Sequence, residues 1–398
     1  MHNRLVRLKI HNFRSLANVD INVDPLNVLF GPNGAGKSTF LDTIWFVRDC
    51  AIQGVDDASS DRSHGIGALW DGADEGANIS ILLETELARY EVLFGYSSGR
   101  IESFVGEQLY SKSLDIRLID RKIGSDKADF YHDKLQQHVS ATLREPEKLA
   151  LTRYVAFGVD LSEASEIDRL LHFVHFYHAR AADLFRLKKF GSESSYQTRL
   201  WDRGQNLWSV LRNLHDKRAF DERYDTIVDF MKQSFPAFKD LLIEQTGPST
   251  VYGNFIEQGL RHPIKASGVS DGHLQMLIHL TALFAEGKDR ESFILFDEPE
   301  ISLHPHALAV FAKAAKIAVA EWNKQVFIAT HSPVLISQFE PENIIAAETS
   351  KSGQTILKRV SEMVEIKDLL TQYATGSLYM AELIAAQSRP SLETEIVE

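Results

Sequence analysis

The octapeptide GPNGAGKS at residues 31–38 follows a short apolar run at 26–30 and opens a segment whose apolar residues have helical spacing. It fits the pattern G-x-x-x-x-G-K-[ST] of a phosphate-binding loop (P-loop) between a strand and a helix. Its glycines let backbone N–H groups face the phosphates, Lys37 reaches the β and γ phosphates, and Ser38 ligates Mg²⁺. A glycine turn that only caps a helix is the alternative, which the flanking strand and helix disfavour. We therefore expect a nucleotide-binding lobe of the α/β class.

A pair of acids ends a second apolar run, FILFDEPE at residues 293–300. We expect Asp297 to hold Mg²⁺ through water and Glu298 to polarise the attacking water as a general base. An acid pair after a strand is common in loops. The presence of the P-loop is what favours the functional interpretation.

Two further segments are placed to meet a phosphate. ATHSP at residues 329–333 follows a buried strand and puts His331 where it could position the γ phosphate, although a lone histidine is more often structural. SDGHLQ at residues 270–275 places Ser270 and Gly272 at a helix N-terminus, a geometry that binds phosphate. Because the P-loop already serves that phosphate within the chain, this second N-terminus is available to the nucleotide of another subunit.

The remaining pattern indicates one lobe interrupted by a helical insertion. Strand and helix alternate near both ends, which predicts a parallel core sheet, and strand candidates at 79–86, 90–96 and 101–105 predict an antiparallel side sheet. Residues from about 130 to 235 have a helical pattern without sustained heptads, so no long coiled-coil arm is expected. The predicted division is 1–130 for the N-terminal part of the lobe, 131–238 for the helical insertion, 239–380 for the C-terminal part and 381–398 for a tail.

The composition restricts the classes of function that fit. The 398 residues carry a net charge of −12 and a single cysteine, Cys50. These values exclude a uniformly basic nucleic-acid surface, an intrachain disulfide and a thiolate zinc cluster. The chain has neither a run of about 18 apolar residues nor a signal-type N-terminus, so we expect no membrane partner and a cytoplasmic location.

Basic charge is concentrated in two segments, residues 1–14 and 180–218, and the second has nine Lys or Arg against four acids. Its interleaved aromatic side chains could stack on bases while its cations attract phosphates, so contact with DNA or RNA is one interpretation. Helices with buried aromatics and solvated cations are the other, and the one we favour. Zinc at the triplet His172, His175 and His178 is disfavoured, because aromatic residues lie between the histidines and no carboxylate is near.

Taken in order, GPNGAGKS, SDGHLQ, FILFDEPE, SLHP and ATHSP resemble the motifs of the ATP-binding-cassette (ABC) ATPases, in particular the branch with RecF, SMC heads and OLD-type phage-defence ATPases. The opening LKIHNFRSL is similar to the first strand of that branch. The resemblance implies a P-loop NTPase of the ABC-ATPase type that uses ATP and Mg²⁺. Its expected architecture is a mixed core sheet with an antiparallel side sheet and a helical insertion.

The resemblance also implies roles for individual residues within one subunit. Glu298 would be the catalytic base and His331 the switch histidine, with Ser38 and Asp297 at the Mg²⁺ ion. Arg14 either approaches a phosphate or is a solvated surface charge. The ATP phosphates would be bound by Asn33, Gly34, Gly36, Lys37, Ser38 and Thr39.

Across subunits, the resemblance implies that Ser270 and Gly272 contact the γ phosphate bound by a second copy, giving a head-to-tail homodimer or a higher homo-oligomer. Leu303, His304 and Pro305 would belong to the loop that links the two sites.

Some features depart from the transporter members of the family. The signature segment reads SDGHLQ where transporters usually have LSGGQ, and 233 residues separate Lys37 from Ser270. Coupling to a transporter is therefore disfavoured. The position of the lid glutamine stays open between Gln53 and the loop around residues 64–70.

We expect an ATPase that dimerises around ATP and acts as sensor or regulator of a separate effector, a nuclease or toxin, in anti-phage defence. Only 67 residues follow His331, which we take as too few for the acid-rich nuclease domain of OLD proteins. One alternative is a RecF- or SMC-like ATPase of DNA repair or maintenance. The other is a scaffold that holds ATP with negligible turnover.

Overall fold

The computed structural model describes residues 4–156, 162–370, 373–381 and 383–385. Most of the expected tail at 381–398 lies outside these residues. Among the residues that are described, no helix has the length and apolar character needed to cross a bilayer.

The elements alternate in the way expected of an α/β protein with a β-rich N-terminal part. The strands are β1 (Leu5–Phe13), β2 (Leu16–Asn22), β3 (Leu26–Phe30), β4 (Ile79–Thr85), β5 (Ala88–Phe94), β6 (Tyr96–Ser97), β7 (Arg100–Ile101), β8 (Gly106–Ser111), β9 (Ile116–Arg121), β10 (Lys127–His132), β11 (Gln137–Thr142), β12 (Val174–His178), β13 (Ser192–Glu193), β14 (Phe238–Gly247), β15 (Thr250–Glu257), β16 (Ile264–Lys265), β17 (Ser292–Asp297), β18 (Lys324–Thr330), β19 (Ile344–Thr349) and β20 (Thr355–Arg359). The helices are α1 (Lys37–Gln53), α2 (Val55–Ser60), α3 (Ala150–Ala156), α4 (Ser162–His172), α5 (Leu184–Lys189), α6 (Leu207–His215), α7 (Arg223–Ser234), α8 (Asp271–Phe284), α9 (Pro305–Glu321), α10 (Pro333–Ile336), α11 (Lys367–Leu370) and α12 (Thr375–Met380).

The core sheet has the order β12-β17-β18-β3-β19-β20. Its neighbours are parallel from β12 to β19, and only the pairing of β19 with β20 is antiparallel. The parallel core sheet predicted from the sequence is therefore confirmed, as is the mixed character of the sheet. Parallel strands end on a common edge, so the residues that follow β3, β12, β17 and β18 are brought close together.

The side sheet is antiparallel throughout, with the order β11-β10-β9-β8-β5-β4-β1-β2. This confirms the predicted antiparallel sheet. The prediction of a strand at 101–105 is wrong, because β7 ends at Ile101 and β8 begins only at Gly106. The edge strand β11 was not predicted: five of its six residues are exposed, so it has no apolar alternation to reveal it.

The segment 131–238, expected to be a helical insertion, is not purely helical. Its first residues complete β10 and β11 of the side sheet, and β12 lies in the core sheet beside β17. The helices α3 to α7 occupy much of the rest. The pattern hid β12 because its buried position His175 is polar and is compensated by a hydrogen bond to Glu286 at 2.9 Å.

The core sheet is buried on both faces. Along β3, Leu29 faces α1 and the side sheet, whereas Val28 and Phe30 face the layer that contains α8 and α9. This alternation follows from the two-residue period of a strand. Since both faces are apolar, β3 reads as a nearly continuous hydrophobic run, LNVLF, in which every residue is buried. Its one polar residue, Asn27, is hydrogen-bonded to the backbone of Asp24.

A third, small sheet with the order β13-β15-β14 packs against α6. The indole of Trp208 is fully buried there, and its Nε1 donates a hydrogen bond to the Leu187 carbonyl oxygen at 3.1 Å. A Cβ atom added at Gly253 would lie 2.1 Å from Trp208 Cζ3. Glycine at 253 is therefore a packing requirement of this layer.

We expect Gly253→Ala to lower the free energy of unfolding by about 1–3 kcal/mol, because the rigid buried indole cannot move aside without strain. Urea denaturation followed by circular dichroism measures this change. Gly247→Ala in the same hairpin is the matched control, since its Cβ would meet Thr250 only at an ordinary 3.9 Å. Equal stability of the two variants would contradict the packing argument.

Candidate functional site

The P-loop joins the end of β3 to the start of α1. Lys37 Nζ donates hydrogen bonds to the carbonyl oxygens of Gly31 and Pro32, both at 2.8 Å, so the side chain arches back over the loop. Burial lowers the pKa of Lys37, while the charges of nearby acids, led by Asp297, raise it. The ammonium group is thus held at the mouth of the loop.

The glycines of the loop meet different surroundings. Gly36 has φ 89°, and a Cβ there would lie 2.1 Å from Thr355 Oγ1, so only glycine fits. Gly34 has φ 80° with no atom within 4 Å of an added Cβ, and Asn33 beside it is exposed. Thr39 is half-buried, and its carbonyl oxygen accepts a hydrogen bond from Thr43 Oγ1 at 2.9 Å.

The acid pair lies directly opposite the start of α1. Ser38 Oγ donates a hydrogen bond to Asp297 Oδ1 at 3.0 Å, across 259 residues of sequence. Asp297 is 3% exposed. Its burial raises the pKa of the carboxyl group, and the Ser38 hydrogen bond acts in the opposite direction. A hydroxyl and a carboxylate oxygen are thus adjacent at the P-loop, which is a donor set of the kind that Mg²⁺ prefers.

Glu298 lies between two cationic or ionisable side chains. Its Oε2 accepts a hydrogen bond from Arg180 Nε at 2.6 Å, and its Oε1 lies 3.6 Å from His331 Nδ1. The backbone of Glu298 has φ 52°, and its N–H donates to the Ala329 carbonyl oxygen at 2.8 Å. This turn points the glutamate at His331, which also lies 3.3 Å from Glu300 Oε1.

Arg180 and His178 are site residues that the sequence analysis missed. Both follow β12, and His178 Nε2 lies 3.8 Å from Asp297 Oδ2. The local signal was the aromatic content of the run VHFYH at 174–178, which favours a strand, and the segment ARAADLFR that follows it. Its meaning depended on the pairing of β12 with β17, which places His178 beside Asp297 in the register.

A family model described as "AAA domain, putative AbiEii toxin, Type IV TA system" matches residues 26–337. That match covers the P-loop, the acid pair and His331. The chain belongs to this family.

Relatives of this AAA-domain family member include named nucleases. Endonuclease GajA of Bacillus cereus (strain VD045) is 24% identical over 366 residues, which is 86% of this chain and 58% of GajA. The Old nuclease of Escherichia phage P2 is 30% identical over 92 residues, which is 23% of this chain and 16% of that protein. The chain therefore spans little more than half the length of GajA.

Solved structures of SMC heads have the same fold. An SMC head bound to the C-winged helix domain of ScpA superposes with a TM-score of 0.54 at 13% identity, over 90% of this chain and 99% of that one. A second, with an extended coiled coil and bound to the C-terminal domain of ScpA from Pyrococcus furiosus, gives 0.52 at 12% identity, over 92% and 99%. Together with the family match, these likenesses establish the ABC-type ATPase fold of the RecF, SMC and OLD kind.

The segment SDGHLQ begins α8, as expected. Ser270 is exposed, and its Oγ lies 2.8 Å from His273 Nδ1. Gly272 is buried, and a Cβ there would lie 2.5 Å from the Ser302 carbonyl oxygen. Ser302 directly precedes Leu303 and His304, so the start of α8 contacts the loop that follows the acid pair.

Arg14 lies in the turn between β1 and β2, and its Nη1 is 3.0 Å from Asp42 Oδ2 of α1. Asp42 Oδ1 also contacts Arg62 Nη2 at 2.8 Å. From Arg62 the chain of ion pairs continues to Asp49 and then to Arg48, at 3.0 and 2.8 Å. Arg14 is therefore a member of a row of alternating charges along α1 and is not an isolated surface charge.

The two candidate positions for the lid differ in their distance from the P-loop. Gln53 is the last residue of α1, roughly 24 Å along the helix axis from Lys37. The loop at 64–70 is hydrogen-bonded to the β1–β2 turn, through Arg14 N to the Ala68 carbonyl at 2.7 Å and Trp70 N to the Asn12 carbonyl at 2.9 Å. The position of the lid stays open between the two.

The buried side chain of His279 contacts the turn that follows Asp297 and Glu298. Its Nε2 lies 3.2 Å from the Pro299 carbonyl oxygen, and the ring is enclosed by Phe296 and Phe311, each at 5.3 Å between ring centroids. The buried Nδ1 has no hydrogen-bond partner. Burial lowers the pKa of His279 to about 4, so the folded state holds the neutral ring, which donates from Nε2.

This environment makes stability depend on pH. Because the folded-state pKa lies below the ordinary value of 6.5, the contribution of neutral His279 is complete above pH 6.5 and declines as the pH falls toward 4. A shift of this size corresponds to about 3 kcal/mol. We expect the free energy of unfolding of the wild type to fall more steeply between about pH 7 and pH 5 than that of His279→Gln, as measured by urea denaturation. Parallel pH profiles would contradict the assignment.

Proposed function

We propose that this chain binds and hydrolyses ATP. The observation that carries the proposal is the hydrogen bond between Ser38 and Asp297, because it brings a P-loop hydroxyl and a buried carboxylate together beside Lys37. Ser38 and Asp297 would hold Mg²⁺, whose charge would offset that of the phosphates. Lys37 would leave the two loop carbonyls for the β and γ phosphates, with Asn33, Gly34, Gly36 and Thr39 forming the rest of the cradle.

Hydrolysis needs a group that orients and deprotonates water, and Glu298 is placed to supply it. Its carboxylate is held from one side by Arg180 at 2.6 Å, and on the other it faces His331 at 3.6 Å. We assign Glu298 the role of general base. His331, anchored beside Glu300, would hold the γ phosphate and keep the water in line.

We further propose that ATP joins two copies head to tail. Ser270 lies exposed at the N-terminus of a 14-residue helix, and Gly272 behind it is packed against Ser302. A helix N-terminus attracts phosphate. Leu303 and His304 link Ser302 to α9, which begins at Pro305. Through this loop, the binding of a partner's ATP at Ser270 and Gly272 would be transmitted to the acid pair.

The biological role we propose is control of an effector in anti-phage defence. Named nucleases among the relatives support an association with nucleic-acid cleavage. The effector in this proposal is a nuclease or toxin that acts as a separate protein under the control of the ATPase. DNA or RNA would then reach the complex as the target of the effector or as the signal for the ATPase.

The proposal is tested with two substitutions at the site. We expect Lys37→Ala to abolish ATP binding, because it removes the cation at the phosphates. Glu298→Gln should bind ATP and accumulate as a dimer, but turn over at least about a hundredfold more slowly, since a general base is lost. Phosphate release and size-exclusion chromatography with ATP measure these effects.

Glu340→Gln, which neutralises a carboxylate exposed by 73%, is the control and should behave as the wild type. Wild-type turnover in both site variants would refute the assignment. A Glu298→Gln form that has lost turnover but still protects cells from phage would instead favour ATP as a static link between subunits.

Arg180 gives a second test of the same site. We expect Arg180→Ala to lower kcat about tenfold with little change in KM, because Glu298 loses the hydrogen bond that orients it. Arg180→Lys should recover part of the loss. Arg186→Ala is the control, because Arg186 is an exposed arginine six residues along the same basic segment. A kcat unchanged by Arg180→Ala would show that Glu298 is oriented without it.

A further inference from the structure

A cavity of about 520 Å³ lies at the far end of α1 from the P-loop. It is formed between Arg48 of α1 and the segment 197–205, which belongs to the basic stretch 180–218. Arg48 is 11 residues beyond Lys37, roughly 16 Å along the helix axis. The cavity is therefore separate from the proposed ATP site.

Three arginines line this cavity: Arg48, Arg199 and Arg203. Among the described residues, only Arg48 of the three has a carboxylate partner within 4 Å, which is Asp49 at 2.8 Å. Arg203 Nε donates to the Ala181 carbonyl oxygen at 3.2 Å. Most of the guanidinium hydrogen-bonding capacity of Arg199 and Arg203 is thus left for another acceptor.

Two buried polar atoms in the lining lack a hydrogen-bond partner, Arg48 Nε and Gln205 Oε1. The Arg48 side chain is only 14% exposed, and its guanidinium lies 4.2 Å from the ring of Trp45. A buried donor without an acceptor costs free energy. An anion in the cavity would remove that cost at Arg48.

The single acid in the lining, Asp202, does not neutralise this charge. Burial raises the pKa of Asp202, and the charges of Arg48 and Arg199 act against that rise. Even with Asp202 and the Asp49 carboxylate beside Arg48 both ionised, the three arginines outnumber the two acids. No ion pair within 4 Å joins Asp202 to these arginines among the residues that the structure describes.

We propose that this cavity binds the phosphate of a nucleotide, either free or as part of a nucleic-acid strand. The planar guanidinium group of arginine can donate two parallel hydrogen bonds to two phosphate oxygens. A cluster of three arginines therefore suits a phosphate group. The indole of Trp201 lies at the same cavity with its Nε1 bonded to Gln197 Oε1 at 2.6 Å, which leaves a ring to contact a base. The volume suits a single nucleotide unit.

The test uses the full chain carrying Lys37→Ala, so that binding at the P-loop does not contribute. Three probes are compared by fluorescence anisotropy or competition: a single-stranded oligodeoxynucleotide with a 5′-phosphate, the same strand without it, and adenosine monophosphate. We expect saturable binding of at least one probe, weakened about tenfold by Arg199→Ala and by Arg203→Ala because each removes a charge-assisted hydrogen bond. Binding by the monophosphate alone identifies a free nucleotide, and binding by the strands identifies nucleic acid.

Arg186→Ala is the matched control, since it removes one exposed charge from the same segment outside the cavity. Arg199→Lys keeps the positive charge but not the guanidinium group. Circular dichroism of each variant checks that it is folded. Equal weakening by Arg186→Ala would reduce the effect to general electrostatic attraction and overturn the proposal, as would the absence of binding by all three probes. Neither result bears on ATP hydrolysis, which is measured with Lys37 intact.

Discussion

The parallel alignment of four strands is the constraint on which the site depends. Because β12, β17, β18 and β3 run in one direction, their carboxyl ends meet at one edge of the core sheet. The register then pairs His178 with Asp297 and Thr330 with Phe30. The strands β3, β17 and β18 are buried on both faces, so the positions of the polar groups at their ends are determined by apolar packing. A large-to-small substitution in the apolar core beneath this edge would therefore shift the polar side chains of the site without changing any of them.

Much of the site could be predicted because its parts are local. An apolar run followed by GPNGAGKS, DEPE or THSP predicts both a strand and the functional group at its end. Lys37, Asp297 and His331 can therefore be predicted from a single sequence. The sequence predicts that Ser38 and Asp297 share one Mg²⁺ ion, and in the structure the two side chains are joined by a hydrogen bond. The same reasoning could not place Arg180, whose position depends on which strand is the neighbour of β17. Sheet order is a property of the whole chain, and no short window contains it.

The errors in the fold have a common physical cause. In β12 a buried histidine interrupts the apolar alternation, and its burial is compensated by Glu286 far along the chain. In β11 the strand lies at an exposed edge, so hydrogen bonds to β10 hold it rather than apolar contacts. Patterns based on burial detect neither case. The row of charges from Arg14 to Arg48 was equally hidden, because it joins Asp42 and Asp49 of α1 through Arg62 of a separate loop.

The hydrogen bond between Ser38 and Asp297 also determines when the site can exist during synthesis. The two residues are 259 positions apart, and six of the eight strands of the side sheet lie between them in the chain. Contacts of such long range form late and slow the folding of a domain. A nascent chain that has displayed its P-loop still lacks the carboxylate for most of its translation. The proposed Mg²⁺ site is therefore assembled only after Asp297 has been synthesised, and partial chains released earlier would have a phosphate loop without the acid that faces it.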